Sequence, residues 1–278
     1  MGRRHSHHSK NKKFLFSLII IFVAIAIGSA LWSTCHTKQA AHISTPESDL
    51  LQVKLPTALD QQLINYPGFT VSFNPRHHQP NYSAWQINVN NIDGNIPRGK
   101  KFTTDPNIKG CATTNDYRNS GYDRGHMAPA GDMKWDQQAM DACFNLTNIC
   151  PQAKSLNTKA WKNLETKCRQ WARRDSVLIV ICGPILTDRL TKTIGDTHIT
   201  VPDRFFKVIL APYANPPRAI GFIMPNGTVP GGIQQAAVSV DEVEATTGMD
   251  FFSSLPDDIE TQVEAQCDFP KWEYTKKR

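Results

Sequence analysis

The 278-residue sequence lacks several signatures that would each settle its chemistry at once. It has no CxxC and no closely spaced Cys/His pair, which excludes a structural zinc site of the finger or ribbon type. It has no GxSxG elbow and no HExxH helix, which removes the serine α/β-hydrolases and the zinc metalloproteases. No internal repeat or low-complexity tract is present, so neither a solenoid nor a disordered chain is indicated. The body also lacks net charge. The formal +6 comes from Arg3, Arg4, Lys10, Lys12, Lys13 and Lys38, and residues 39–278 balance to zero. Attraction for a polyanion must therefore come from a local cluster of Arg and Lys.

What the N-terminus does have is a basic tail, residues 1–13, followed by a run of nineteen uncharged residues, 14–32. That length spans a bilayer. Five basic residues before the run against Lys38 after it keep the N-terminus inside and export the remainder. A transmembrane signal anchor is expected, with Trp32 at the outer interface. A cleaved signal peptide is the alternative, because Gly28, Ser29 and Ala30 offer small residues for cleavage. The expected setting is a bacterial envelope or periplasm, with secretion after cleavage as the alternative.

Residues 33–60 are polar and aperiodic and read as a linker, leaving 61–270 as one catalytic domain. Its six cysteines, Cys111, Cys143, Cys150, Cys168, Cys182 and Cys267, allow fifteen pairings. At least one disulfide is expected in an exported domain.

Phe69–Phe73 and Ala84–Val89 alternate apolar and polar residues and predict half-buried antiparallel strands. Val177–Cys182, Phe205–Leu210 and Ala219–Met224 are continuously apolar and predict central strands. Between the two groups, 155–174 predicts an amphipathic helix with Ser155 as N-cap. Asn157 falls in the middle of its apolar arc. Shorter helices are expected near 240–245 and 257–265. The sum is an α+β domain.

Three blocks carry the chemistry: Tyr122-Asp123-Arg124-Gly125-His126-Met127-Ala128-Pro129, then Asn145-Leu146-Thr147-Asn148-Ile149-Cys150-Pro151-Gln152, then the stretch from Leu156-Asn157 to Leu164-Glu165. Neutral imidazole near pH 7 suits a general base, so His126 is a candidate. Gly125 lets backbone approach closely, and Arg124 sets a permanent cation beside the His. An amide oxygen is a hard ligand, so Asn157 suits Mg²⁺.

In this order and spacing the blocks resemble the DNA/RNA non-specific endonuclease family, over about Gln61 to Leu255. The resemblance implies a ββα-metal (His-Me finger) nuclease fold, a central antiparallel sheet with flanking helices, here behind an N-terminal transmembrane helix. It implies hydrolysis of DNA and RNA without sequence preference, leaving 5′-phosphate ends. His126 is then the general base, Asn157 the direct Mg²⁺ ligand (Mn²⁺ substituting), and Glu165 the carboxylate that bonds metal-held water. Arg124 adds positive charge at the phosphate. Arg118 and Arg98, the latter beside Lys100 and Lys101, are substrate-binding candidates. Asn148 and Gln152 support the site through hydrogen bonds, while Asp123 anchors Arg124 or the hairpin. A homodimer and an inhibitor protein are partners that the resemblance admits. The rival reading is a catalytically inactive nuclease-like domain that grips extracellular nucleic acid; an intact His126, Asn157 and Glu165 argue against it.

Overall fold

Alternation along the longest strands decides the architecture. In the computed structural model, which describes residues 43–186 and 192–273, Leu178, Val180 and Cys182 enter one apolar cluster, while Val177, Ile179 and Ile181 enter another. Phe205 and Ile209 divide from Phe206, Val208 and Leu210 in the same way. A strand with period 2 buried on both faces must lie between two layers.

In chain order the elements are α1 (Glu47–Leu50), β1 (Val53–Lys54), β2 (Gln62–Tyr66), β3 (Phe69–Asn74), β4 (Gln79–Asn88) and β5 (Asp123–His126). After these come α2 (Gln137–Ala142), β6 (Ile149–Gln152), a π-helical segment (Leu156–Trp161), α3 (Lys162–Asp175) and β7 (Val177–Ile185). Then follow β8 (Thr193–Ile194), β9 (Ile199–Thr200), β10 (Arg204–Ala211), β11 (Arg218–Pro225), α4 (Gly232–Gln235) and β12 (Ala237–Val238). The chain continues through α5 (Val240–Thr247), β13 (Asp250–Phe251), α6 (Asp257–Glu264) and α7 (Phe269–Glu273). Seven strands form one sheet in the order β12-β11-β10-β7-β4-β3-β2, every pair antiparallel.

One face of the sheet carries the β5–β6 ribbon and α3, through Met127, Leu156, Trp161, Leu164 and Trp171. The other carries α5, α6 and β13, through Val240, Val243, Phe251, Ile259 and Val263. The expected helices near 240–245 and 257–265 are α5 and α6. Ser239 caps α5 by accepting from the Glu242 N–H at 3.1 Å, and Gly248 closes it in the left-handed region at φ 69°.

Four expectations change. The strands at 69–73 and 84–89 are buried on both faces rather than half-buried, because β4 sits between β3 and β7 with a layer on each side. The stretch read as a linker to residue 60 is folded from 43 onward: Ile43 and Leu50 are buried, and β1 pairs with β13. Short polar segments held by distant partners carry no periodic signal of their own. No disulfide occurs among the described residues. Cys111, Cys143, Cys150, Cys168 and Cys182 are buried thiols used as small apolar side chains, and Cys267 is exposed. The 155–174 helix does not begin as an α-helix capped by Ser155; it opens with the π segment, and the Ser155 side chain caps nothing.

The basic tail, the 14–32 span and Cys35 lie outside the described residues. Among the described residues no helix is long and apolar enough to cross a membrane.

Candidate active site

The Asp-Arg-Gly-His string forms β5, which pairs antiparallel with β6 so that Gly125 faces Cys150 and His126 faces Ile149. A ribbon of two four-residue strands, followed directly by a helix, carries most of the candidate residues. Gly125 is demanded by this pairing. A Cβ there would stand 2.4 Å from Gln152 Oε1 and 2.6 Å from Gln152 Cβ, inside any real contact distance.

Asn148 fixes the ribbon to the sheet. Its Oδ1 accepts from the Ser83 hydroxyl at 2.8 Å and the Ala128 N–H at 2.9 Å, while Nδ2 donates to the Ala128 and Cys143 carbonyls, both at 2.9 Å. Every polar atom of this buried amide is satisfied, and the chain just past His126 is held at both its N–H and its C=O. Gln152 behaves differently from expectation. It is buried, but neither amide atom has a hydrogen-bond partner, so its support is steric, by packing over Gly125. Asn226 clamps the turn into the helix: it accepts from Ala153 N–H at 2.7 Å and donates to the carbonyls of Pro151 and Pro202 at 3.0 and 2.9 Å.

His126 is 8% exposed. Its ring lies 4.8 Å from Phe144, edge to face, and 5.3 Å from Phe102. Its backbone carbonyl accepts from the Trp161 indole at 3.2 Å, and its Nε2 is sealed from solvent with no partner. Burial, reinforced by the Arg98 guanidinium, pushes the imidazole down to about 3, so it stays neutral through the physiological range.

The two rings that enclose His126 also carry cations. The Arg124 guanidinium stands 4.5 Å from the centre of Phe102, and that of Arg98 stands 5.2 Å from Phe144. The sequence reading missed both phenylalanines. Phe102 directly follows Lys100-Lys101, which is the one local signal that pointed to it.

Beside the ribbon opens a cleft of about 670 Å³, lined by Lys100, Lys101, Phe102, Arg118, Arg124 and Asn157 among others, with Asp123 the one acid on its wall. Four cations against one carboxylate supply the local cluster that the neutral body required. Arg118 thus joins Arg124 and Asn157 there. Arg98 does not line the cleft, but its charge reaches both His126 and Glu165.

Asn157 is half-buried at the cleft, not in the core. The π segment sweeps less angle per residue than the α-helix assumed from the sequence, so its side chains leave the expected wheel. Asp123 Oδ2 accepts from Asn157 Nδ2 at 3.0 Å, so Asp123 holds Asn157 rather than Arg124. This contact leaves Asn157 Oδ1 without a protein donor among the described residues.

Glu165, one turn into α3, is partly exposed. Burial pushes its carboxyl up to about 7 against the pull of Lys207, and no hydrogen bond ties it among the described residues. Lys207, also missed, is fully buried; its ammonium lies 4.9 Å from the Trp85 ring and 4.4 Å from Trp161. A charge can remain there because two indole faces and Glu165 oppose the desolvation cost. In the sequence Lys207 is an isolated charge in an apolar strand, an anomaly visible without the structure.

The chain matches the profile of a family described as DNA/RNA non-specific endonuclease over residues 46–258. It is 33% identical to "Nuclease EXOG, mitochondrial" of Danio rerio over 207 residues, which is 68% of this chain and 60% of that protein. It is 31% identical to "Endonuclease G, mitochondrial" of Homo sapiens over 209 residues, 70% of each chain. The match thus spans under two thirds of the zebrafish protein's length. A solved structure of the EndoG/EndoGI complex superposes with a TM-score of 0.65 at 28% identity, covering 71% of this chain and 88% of that one.

Proposed function

This chain belongs to the DNA/RNA non-specific endonuclease family, and on that premise we propose that it hydrolyses DNA and RNA phosphodiesters without reading sequence, leaving 5′-phosphates. The observation that carries the reading is a neutral, buried His126 packed 5.3 Å from Phe102, a wall residue of the cationic cleft that Arg124 and Asn157 also line.

His126 takes the proton from the attacking water. Nε2 is sealed from solvent without a partner, so Nδ1 is the ring nitrogen assigned to meet the water. An imidazole held near 3 is a weak base in the free enzyme. An anionic phosphate arriving in the cleft raises it toward the operating pH, where a base is most effective. Phe102 and Phe144 exclude bulk water from the ring. Arg124, Arg118, Lys100 and Lys101 hold the phosphate backbone by charge, so affinity falls with salt.

The residues present fit a divalent cation. Asn157 presents a free amide oxygen fixed by Asp123, and Glu165 adds a carboxylate without a protein partner. Few protein ligands and hard oxygens suit Mg²⁺, with Mn²⁺ substituting. When bound, Mg²⁺ supplies Lewis-acid charge at the scissile phosphate. This ribbon-plus-helix arrangement is the ββα-metal fold in our reading. We further place the domain outside a membrane, anchored by residues 14–32, and include an inhibitor protein among its partners, supported by the relative solved with EndoGI.

The test uses the purified full-length chain with supercoiled plasmid and with RNA, with and without Mg²⁺. His126→Ala should lose roughly 10²–10⁴-fold in turnover and keep nucleic-acid affinity. Asn157→Ala should shift the Mg²⁺ requirement upward. Wild-type rates for His126→Ala in saturating Mg²⁺ would sink the assignment, and a wild type that binds but never cuts would favour the inactive binding domain.

A further inference from the structure

On the sheet face opposite the active site, three carboxylates converge. Asp241 and Glu244, three residues apart on one side of α5, meet Glu264 at the last position of α6, with ligand oxygens all within 4.8 Å of one another. Glu264 is 6% exposed, and its Oε1 is sealed without a hydrogen-bond partner. The charges that act on it most strongly are all negative: Glu244, Glu260, Asp241 and Asp250.

The backbone makes matters worse. A helix C-terminus carries partial negative charge, and helices normally meet it with Lys or Arg in the last turn. The last turn of α6 has no basic residue and ends on this buried Glu. Lys54 is nearby but is already paired with Asp250 at 3.0 Å, out on the exposed surface. Glu244 spends one oxygen on the Phe251 N–H at 2.7 Å. A buried, unpaired carboxylate costs several kcal/mol unless a proton or a cation neutralises it. Without a cation, burial and these neighbours push Glu264 up to about 9.

We propose that Asp241, Glu244 and Glu264 form a binding site for a divalent cation, Ca²⁺ foremost, separate from the nuclease centre. Ca²⁺ takes roughly 6–8 oxygens in flexible geometry at roughly 2.3–2.6 Å and so accepts three converging carboxylates completed by water, whereas Mg²⁺ at roughly 2.0–2.1 Å demands a near-ideal octahedron and dehydrates reluctantly. Asp241 is exposed and Glu244 half-buried, which leaves an open side for entry and for water ligands. The ion would tie α5 to α6 and β13, bracing the layer behind the sheet. Its effect is on stability, and it takes no part in the reaction.

The test is a thermal melt of the full-length chain against millimolar CaCl₂, in wild type, Asn157→Ala, Glu264→Gln and Asp241→Asn. Asn157→Ala separates this site from the nuclease centre. Wild type and Asn157→Ala should gain the same rise in Tm, roughly 5–10 °C once Ca²⁺ is about 100-fold above its Kd. Glu264→Gln and Asp241→Asn should lose the rise while cutting plasmid at the wild-type rate. Should Glu264→Gln fold poorly, Asp241→Asn, at an exposed position, carries the comparison. Absence of any Ca²⁺ effect in wild type, a rise that survives both carboxylate variants, or a rise from Mg²⁺ but not Ca²⁺ overturns the proposal; the first result would make Glu264 a protonated acid.

Discussion

Replacing Gly125 with Ala adds one methyl at the tightest point of the β5–β6 ribbon. The new Cβ would meet Gln152 Oε1 at 2.4 Å, Cβ at 2.6 Å and Cδ at 2.8 Å. The Oε1 contact could be relieved by swinging the amide. The Cβ contact cannot, because that atom is fixed to the β6 backbone, so the strands must part by about an ångström to reach ordinary van der Waals distance. Overpacking of this kind costs about 1–3 kcal/mol, which for a domain of this size is a fall in Tm of roughly 2–12 °C. Catalysis should suffer more than stability. His126, the general base of the proposed mechanism, is the next residue along the strand, and a displacement of about 1 Å at a reacting group costs on the order of 10²-fold. The expected result is a folded protein whose kcat/KM for plasmid is down roughly 10–100-fold. Gln152→Gly removes every clashing atom, so the double variant should recover most of the loss relative to Gln152→Gly alone; Gln152→Ala, which keeps the Cβ, should recover less. Wild-type stability and activity in Gly125→Ala, or a double variant no better than the single one, would refute the reasoning.

Other consequences follow from the same geometry. The folded imidazole of His126 sits near 3 against about 6.5 unfolded. The unfolded chain therefore binds the extra proton as pH falls from about 6.5 to 3, and stability is lost through that window. At pH 5 the loss is about 2 kcal/mol, and urea melts should show it in wild type but not in His126→Gln. By the same shift, kcat/KM should carry no inflection near 6.5 from the free enzyme, contrary to what an unperturbed His predicts; an inflection there would contradict the burial argument. Asn148→Ala leaves the N–H and carbonyl of Ala128, the Cys143 carbonyl and the Ser83 hydroxyl buried without this partner. It should cost about 3–5 kcal/mol in a chemical melt; a loss under about 1 kcal/mol would mean the amide is replaceable by water. Among the six cysteines of the described residues, native thiol titration should label Cys267 quickly and the five buried ones only on unfolding, and a disulfide joining any two of the six in the mass spectrum would contradict the free-thiol arrangement.

The candidate residues were more legible in the sequence than their mounting. His126, Arg124, Arg118 and Asn157 are marked by their own residue types in short strings, and the structure gathers them at one ribbon and one cleft. Long apolar runs announced β7, β10 and β11 because burial on both faces imposes composition on a whole strand. The ribbon itself could not be read: Asp-Arg-Gly-His is too short and polar for a period, and its pairing with β6 depends on Asn148 bonding across twenty residues. Phe102 and Phe144 were hidden for a related reason. An aromatic residue in a loop looks like any core contact until the fold brings it against a His. The π segment was missed because a helical wheel fixes the angle per residue before the hydrogen bonds are known. Residues 43–54 read as a linker since their partners, β13 and the back layer, lie nearly two hundred residues away.

The sheet with its two faces divides mutational consequences residue by residue. Along β7, Leu178, Val180 and Cys182 back the ribbon and helix that carry His126 and Asn157, while Val177, Ile179 and Ile181 back the helices that bear the carboxylate cluster. Neighbouring positions on one strand therefore belong to different selective regimes. On the proposed mechanism, substitutions at these even-numbered positions should register in turnover as well as stability, and those at the odd-numbered ones chiefly in stability. A variant library confined to the odd positions could retune thermal resistance across temperature niches while the cutting machinery on the far side of the wall stays as it is.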